Sequence, residues 1–198
     1  MPGHTLKVIV GLGNPGPRHE FDRHNAGVIF LHHLCKSHGA SLRGESKFFG
    51  EFGSISVGGH EVKLLFPTTF MNHSGKSVSA LCKFFKIEPQ NMLVAYDEID
   101  FDVGVTRFKE GGGHGGHNGI RDIISALNGK SGFYRLRIGV GHPGHKSMVA
   151  SYVLSPPSRS EAQIIMSDIE EAVRIVPKAV AGEWDDAMKF LHTNEASN

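Results

Sequence analysis

The chain has 198 residues, 21 Lys and Arg against 20 Asp and Glu, a formal net charge of +1 and two cysteines. That length suits one domain, residues 1–198, able to bury most of its apolar surface without metal or disulfide staples. Cys35 and Cys82 fall inside apolar helical patterns and no apolar run is long enough to span a bilayer, which excludes a disulfide framework and a membrane-embedded protein and points to a cytoplasmic one.

Lys7 to Leu12 is a short apolar run rich in β-branched residues and predicts a buried first strand. It enters a turn-rich loop, Gly11-Leu-Gly-Asn-Pro-Gly-Pro17. An apolar periodic segment from Ala26 to about Ser37 predicts a helix stopped by Gly39. Alternation from Phe48 to Phe66, broken by Gly58-Gly59, predicts a hairpin between Gly50 to Val57 and Glu61 to Phe66. After Pro67 the spacing of Val78, Leu81, Cys82 and Phe85 predicts a second helix, ended by Pro89. Met92 to Tyr96 predicts a strand that delivers Asp97 at its C-terminal end, and Val105 to Lys109 predicts another.

A glycine-rich stretch then runs from Phe108 to Gly119. Glycines crowded around His114, His117 and Asn118 suit a backbone that takes positive φ or lets a ligand come close. Ile120 to Leu127 predicts a short helix. Tyr134 to Val140 predicts a strand with Arg135 and Arg137 on the face opposite Leu136 and Ile138. Ser147 to Ser158 follows a Gly-Pro-Gly loop and is a candidate mobile cover. Ser158-Arg-Ser-Glu161 is a capping box opening a long helix, and Gly182 separates that helix from a last one around Met188 to Leu191. Strands alternating with helices give an α/β fold, a single domain with a mixed, mostly parallel twisted sheet flanked by helices. Charge is uneven along the chain: residues 1–158 hold 17 Lys and Arg against 12 Asp and Glu, and residues 159–198 hold 4 against 8. A basic body with an acidic tail is compatible with a polyanionic ligand at one face.

Two chemical readings compete with simple hydrolysis. Gly11-x-Gly-x-x-Gly16 after a strand matches a dinucleotide fingerprint. There, however, a helix must start inside the glycine loop, and Pro15 and Pro17 delay it; the acidic residue expected about twenty positions on is absent. The loop serves better to present Asn14. His114 and His117, with His142 and His145, raise a metal hydrolase, but neither a His-Glu-x-x-His helix nor a cysteine cluster accompanies them. A hydrolytic site without metal needs a base and an orienting acid. His24, on a loop just ahead of a helix, is a candidate base, and Asp97, at the end of an inner strand, is a candidate orienter that would fix its tautomer.

Six stretches in order, Gly11-Leu-Gly-Asn-Pro-Gly16, Arg23-His-Asn-Ala-Gly27, Pro67-Thr-Thr-Phe-Met-Asn72, Tyr96-Asp-Glu-Ile-Asp100, Gly111 to Gly119 and Arg135 to Gly144, closely resemble bacterial peptidyl-tRNA hydrolase over nearly the whole chain. The resemblance implies cleavage of the ester joining a peptide to the 3′ ribose of tRNA, with no cofactor and no metal. His24 would activate a water and Asp97 would orient it. Asn14, Asn72 and Asn118 fall at the family's three cleft asparagines, with their separate roles open, and Phe70 and Met71 would supply an apolar wall. His19 and His117 would line the substrate site. Lys109 and Arg137 match the basic pair that grips the 5′ phosphate of the tRNA acceptor end, with Arg107, Arg135 and Lys146 as weaker candidates for the same surface. A monomer is expected. The chain departs from the family pattern at His19 and Asp22, where Tyr and Thr are common, and Asp22 puts the pH profile in question.

Overall fold

The computed structural model describes residues 3–195, and side chains as far as residue 191. Its strands are β1 (Val8–Gly11), β2 (Arg43–Glu45), β3 (Gly50–Val57), β4 (His60–Pro67), β5 (Met92–Glu98), β6 (Thr106–Glu110) and β7 (Tyr134–Gly139), joined in one sheet of order β2-β3-β4-β1-β5-β7-β6. The four inner strands β4, β1, β5 and β7 are parallel neighbours, whereas β3 and β6 run against theirs. Because β2 is antiparallel to β3, it rejoins the common direction. The sheet is therefore mixed and mostly parallel, as expected, with the hairpin and β6 supplying the opposed strands.

Among the described residues six helices accompany the sheet: α1 (Ala26–Ser37), α2 (Ser74–Phe85), α3 (Asn118–Ala126), α4 (Val149–Val153), α5 (Arg159–Val180) and α6 (Trp184–Glu195). Alternation along the strands feeds two cores. Ile9, Leu64, Leu93, Ala95, Leu136 and Ile138 pack with residues of α1, α5 and α6. Val8, Val10, Leu65, Met92, Val94 and Tyr96 pack with residues of α2 and α3. With both faces covered, the central strands β1 and β5 need apolar residues at nearly every position, which is why they read as continuous runs and not as half-buried alternation.

Three elements differ from expectation, the first two of them at the site. β5 continues past Tyr96 through Glu98, because β7 pairs with it as far as Asp97↔Ile138 and Glu98↔Gly139. α3 starts at Asn118, two residues early, since the His117 ring accepts the Ile120 N–H and caps the helix. The last helix starts at Trp184, whose ring stacks on Tyr134 at 3.7 Å between centroids. The hairpin turn at Gly58-Gly59 has φ of 57° and 81°, the positive values that a two-residue turn of this kind requires.

One close approach fixes the geometry of everything that follows. A Cβ on Gly27, in the first turn of α1, would overlap the Ala95 carbonyl of β5, and a Cβ on Gly11 would sit 2.6 Å from the Gly27 carbonyl oxygen. Only paired glycines let the start of α1 lie directly on β1 and β5. That contact brings the turn preceding α1 against the end of β5.

Candidate active site

His24 lies in a 3-10 turn, Arg23–Asn25, just ahead of α1, and is 9% exposed. Its Nδ1 stands 2.8 Å from Oδ2 and 3.0 Å from Oδ1 of Asp97, which is 2% exposed. With Nδ1 committed to the carboxylate, Nε2 is the nitrogen left to act. His117 approaches the same carboxylate from the glycine loop, its Nε2 2.8 Å from Asp97 Oδ1. The Ile120 N–H donates to His117 Nδ1 at 3.3 Å, so that nitrogen carries the lone pair and Nε2 carries the proton given to Asp97. The two imidazoles lie 5.0 Å apart between centroids.

Electrostatics follow from this packing. Burial works against ionising Asp97, but the charges and hydrogen bonds of His24 and His117 outweigh it and hold the carboxyl well below its ordinary range. For His24 burial disfavours the imidazolium, yet the charge and hydrogen bond of Asp97 and the charge of Asp22 together raise its pKa above the ordinary 6.5. The result is a buried carboxylate holding an imidazole in one orientation beside a cleft of about 430 Å³, lined by His24, Asp97, His117, Asn118, Lys146 and Val153 among others.

A second set of bonds orders the approach to His24. Asn25, 3% exposed, accepts the Asn14 N–H at 2.9 Å and donates to the Asn14 carbonyl at 3.0 Å. Asn14 Oδ1 accepts the Met71 N–H at 2.8 Å, leaving the amide NH₂ of Asn14 as its one uncommitted polar group. Met71 is buried, and its sulfur packs where a Cβ on Gly119 would fall, tying the loop after β4 to the start of α3. Asn118 borders the cleft, its side-chain Oδ1 accepting from Arg121 at 2.9 Å. Phe70 is 64% exposed and borders a different hollow, with His73 and Lys76, and Asn72 is exposed on the same turn. His19 does not meet His24: its Nδ1 is 2.8 Å from Asp22 Oδ2.

Arg23 was not visible as a functional residue in the sequence. Its guanidinium donates to the carbonyls of Tyr152 and Ser155 at 3.1 and 3.2 Å and to Ser155 Oγ at 2.7 Å, and lies 3.9 Å from the Tyr152 ring centroid. Val149, Ala150 and Val153 of α4 line the cleft. The segment expected as a mobile cover is thus a short helix held against the turn that carries His24.

On the far edge, β6 and β7 place Arg107 opposite Arg137 and Lys109 opposite Arg135, all on one face. Lys109 is exposed, and Arg137 is half-buried in an ion pair with Glu98. Arg135, a weaker candidate for the phosphate surface, is instead buried: it is 1% exposed, and its guanidinium donates to the carbonyls of Gly112, Gly113 and Ser131, bracing the glycine loop. That loop takes positive φ at Gly111, Gly112, Gly115 and Gly116.

Of the histidines considered as metal ligands, His114 and His142 accept the N–H of Gly116 and Gly144, and His145 accepts that of Ser147, so each organises its own loop. The potential ligand atoms that do cluster, within 4.8 Å of one another among the described residues, are those of His24, Asp97 and His117. Here both rings meet the carboxylate through hydrogen bonds, and a cation bridging the three would have to replace those ring protons. In the Gly11 to Gly16 loop, α1 begins only at Ala26, so no helix N-terminus stands ready for a pyrophosphate.

A family model described as peptidyl-tRNA hydrolase matches residues 8–198. A protein of Pseudomonas paraeruginosa named peptidyl-tRNA hydrolase is 50% identical over 192 residues, covering 97% of this chain and 99% of that protein. One of Pseudomonas fluorescens with the same name is 49% identical over the same shares. The crystal structure of peptidyl-tRNA hydrolase from Acinetobacter baumannii superposes with a TM-score of 0.92 at 43% identity, covering 95% of this chain and 96% of that one.

Proposed function

The chain belongs to the peptidyl-tRNA hydrolase family, and from that premise we propose how its own residues hydrolyse the ester between peptide and tRNA. It is a carboxylic ester hydrolase whose products are free tRNA and peptide. The observation that carries the mechanism is the pairing of His24 Nδ1 with buried Asp97, which leaves Nε2 as the basic nitrogen beside the cleft.

His24 Nε2 takes a proton from water as the water oxygen bonds to the ester carbonyl carbon. Asp97, accepting from both His24 and His117, stabilises the imidazolium that forms and holds the ring in place. Collapse of the tetrahedral species breaks the bond to the ribose 3′ oxygen, and the proton on Nε2 passes to that oxygen. The scissile bond is an activated ester, so a correctly held imidazole suffices without covalent catalysis. Because Asn14 Oδ1 is held by the Met71 N–H, Asn14 can offer only its NH₂, a donor suited to a substrate carbonyl or the developing oxyanion. Asn118, which borders the cleft, completes the peptide side, with His117 fixing the shared carboxylate, whereas Phe70, Met71 and Asn72 do not line that cleft. His19 acts at a distance, by holding Asp22.

Lys109 and Arg137 are assigned to the 5′ phosphate of the acceptor end, contacts that set affinity and register without reading bases. Among the described residues no helix is long and apolar enough to cross a membrane. We read the enzyme as a cytoplasmic monomer that recycles peptidyl-tRNA lost from translation; its buried, unpaired cysteines suit that compartment.

The deciding experiment is hydrolysis of N-acetylated aminoacyl-tRNA by wild type and His24→Ala, with and without chelator. The variant should lose activity by about a hundredfold or more while keeping its fold, and chelator should change nothing. Near-normal turnover by the variant would remove His24 as base, and loss of wild-type activity to chelator would make the three clustered groups a metal site.

A further inference from the structure

His117 stands on a loop that packing does not wedge in place. A Cβ on Gly113, Gly115 or Gly116 would meet nothing within 4 Å, and Gly111, Gly112, Gly115 and Gly116 take positive φ. Glycine loses more backbone freedom on ordering than any other residue, so the position of such a stretch has to be imposed from outside. Among the described residues, the hydrogen bonds that tie residues 112–116 to the rest of the fold are those the Arg135 guanidinium donates to the Gly112 and Gly113 carbonyls. From Gly113 the chain makes one turn, closed by the His117 N–H on the His114 carbonyl at 2.9 Å, and that turn aims the His117 ring at Asp97.

The way Arg135 is held makes it a poor source of stability. It is buried, its guanidinium lies 4.5 Å from the Phe133 ring centroid, and a third bond runs to the Ser131 carbonyl at 3.2 Å. Among the described residues no carboxylate pairs with it, and its Nε has no partner. A buried cation without an anion costs free energy. What it supplies is direction, because a planar fork donates to successive carbonyls along fixed lines. The guanidinium also lies beside Tyr96, whose ring meets the His117 ring edge-on with centroids 5.0 Å apart. We infer that Arg135 is a positioning residue of the hydrolysis, holding the glycine loop so that His117 Nε2–H stays on Asp97 and Asp97 stays on His24. The inference rests on the reading of His24 and Asp97 as the hydrolytic centre. It separates Arg135 from Lys109 and Arg137, which share its face of the sheet but are assigned to the tRNA. Losing Arg135 slows the chemistry on any ester, and only where His117 is present.

The test measures kcat and KM on N-acetylated aminoacyl-tRNA and on an N-blocked aminoacyl ester of adenosine. The variants are Arg135→Lys, His117→Ala and the two combined, with folding checked by circular dichroism. Lys keeps the charge, but one ammonium cannot span the carbonyls of Gly112, Gly113 and Ser131. Arg135→Lys should lower kcat about tenfold on both substrates, short of the roughly hundredfold that a misplacement of about 1 Å costs. Added to His117→Ala it should change kcat by no more than about twofold, the scatter of such comparisons. Gly112→Ala puts a Cβ 2.8 Å from Lys109 Nζ at a φ of 110° and displaces the loop while Arg135 keeps its place. On the adenosine ester it should show the same loss and the same dependence on His117, and it carries the test if Arg135→Lys does not fold. A loss that multiplies in full onto that of His117→Ala overturns the inference, as does an unchanged kcat in the folded variants. So does a rise in KM for the tRNA with the adenosine ester untouched, which would make Arg135 a phosphate ligand. None of these outcomes bears on His24, which is judged by His24→Ala alone.

Discussion

A hydrogen bond across 73 positions of chain holds His24, a loop histidine, on buried Asp97 and fits it for the base proposed above. In the proposed mechanism the active form is the neutral imidazole, and the His24 pKa is raised above 6.5: burial depresses it, but Asp97 and then Asp22 raise it by more. Activity should therefore climb with pH through a midpoint above 6.5. Asp22→Asn removes one of the groups that raise it and should move the midpoint of kcat/KM down, with Asp97 still in place. An unshifted profile would show that Asp22 does not act on His24. Linkage gives stability the opposite trend. A raised His24 contributes stability that is full below 6.5 and is lost as pH rises through its folded pKa, whereas Asp97, held low, contributes above about 3.8 and loses that contribution as pH falls. Both members of the pair are legible in the sequence, from a histidine ahead of an apolar helix and an aspartate ending a buried run. The third is less so, because His114 and His117 share one glycine-rich stretch. Backbone conformation at Gly115 and Gly116 decides that His117 faces Asp97 while His114 caps its own turn.

At the scale of elements, α4 shows how a short segment escapes sequence reading. Five residues make little more than one turn, too few for an apolar period to register. What orders the segment is tertiary: Arg23 binds Tyr152 and Ser155, and the Tyr152 hydroxyl donates to the Val140 carbonyl at 2.6 Å. Since Arg23 is adjacent to His24, the cover of the cleft and the base are mounted on one turn. Replacing Arg23 by Ala should free α4, raising hydrogen exchange across residues 149–155 and lowering kcat/KM about tenfold, as expected for losing charge-assisted bonds. Exchange as slow as in wild type would mean that Tyr152 alone holds the segment. The longer elements, by contrast, follow from local pattern. α1 ends at Ser37 as its spacing requires, and the capping box at Ser158 is formed in both directions.

Across the whole molecule charge segregates by face. The acidic C-terminal part forms α5 and α6 over the face that carries α1, whereas Arg107, Lys109, Arg135 and Arg137 share the opposite face of the β6–β7 edge. Sequence alternation places these four cations together but cannot say which are engaged internally. Arg135 is consumed by loop carbonyls and Arg137 is tied to Glu98, itself 7% exposed, whereas Lys109 is the exposed member. The two proposed phosphate ligands should therefore fail differently. Lys109→Ala should raise KM for peptidyl-tRNA and reduce the slope of log KM against log salt by about 0.7 to 0.9, one phosphate contact, without lowering thermal stability. Arg137→Ala should change the slope too, but it also strands a buried carboxylate and should lower the melting temperature. A minimal substrate, an N-blocked aminoacyl ester of adenosine, lacks the 5′ phosphate and should be hydrolysed equally by Lys109→Ala and wild type. If Lys109→Ala instead slows both substrates alike, Lys109 supports the glycine loop through Gly112, against which its ammonium packs, and the phosphate is held elsewhere.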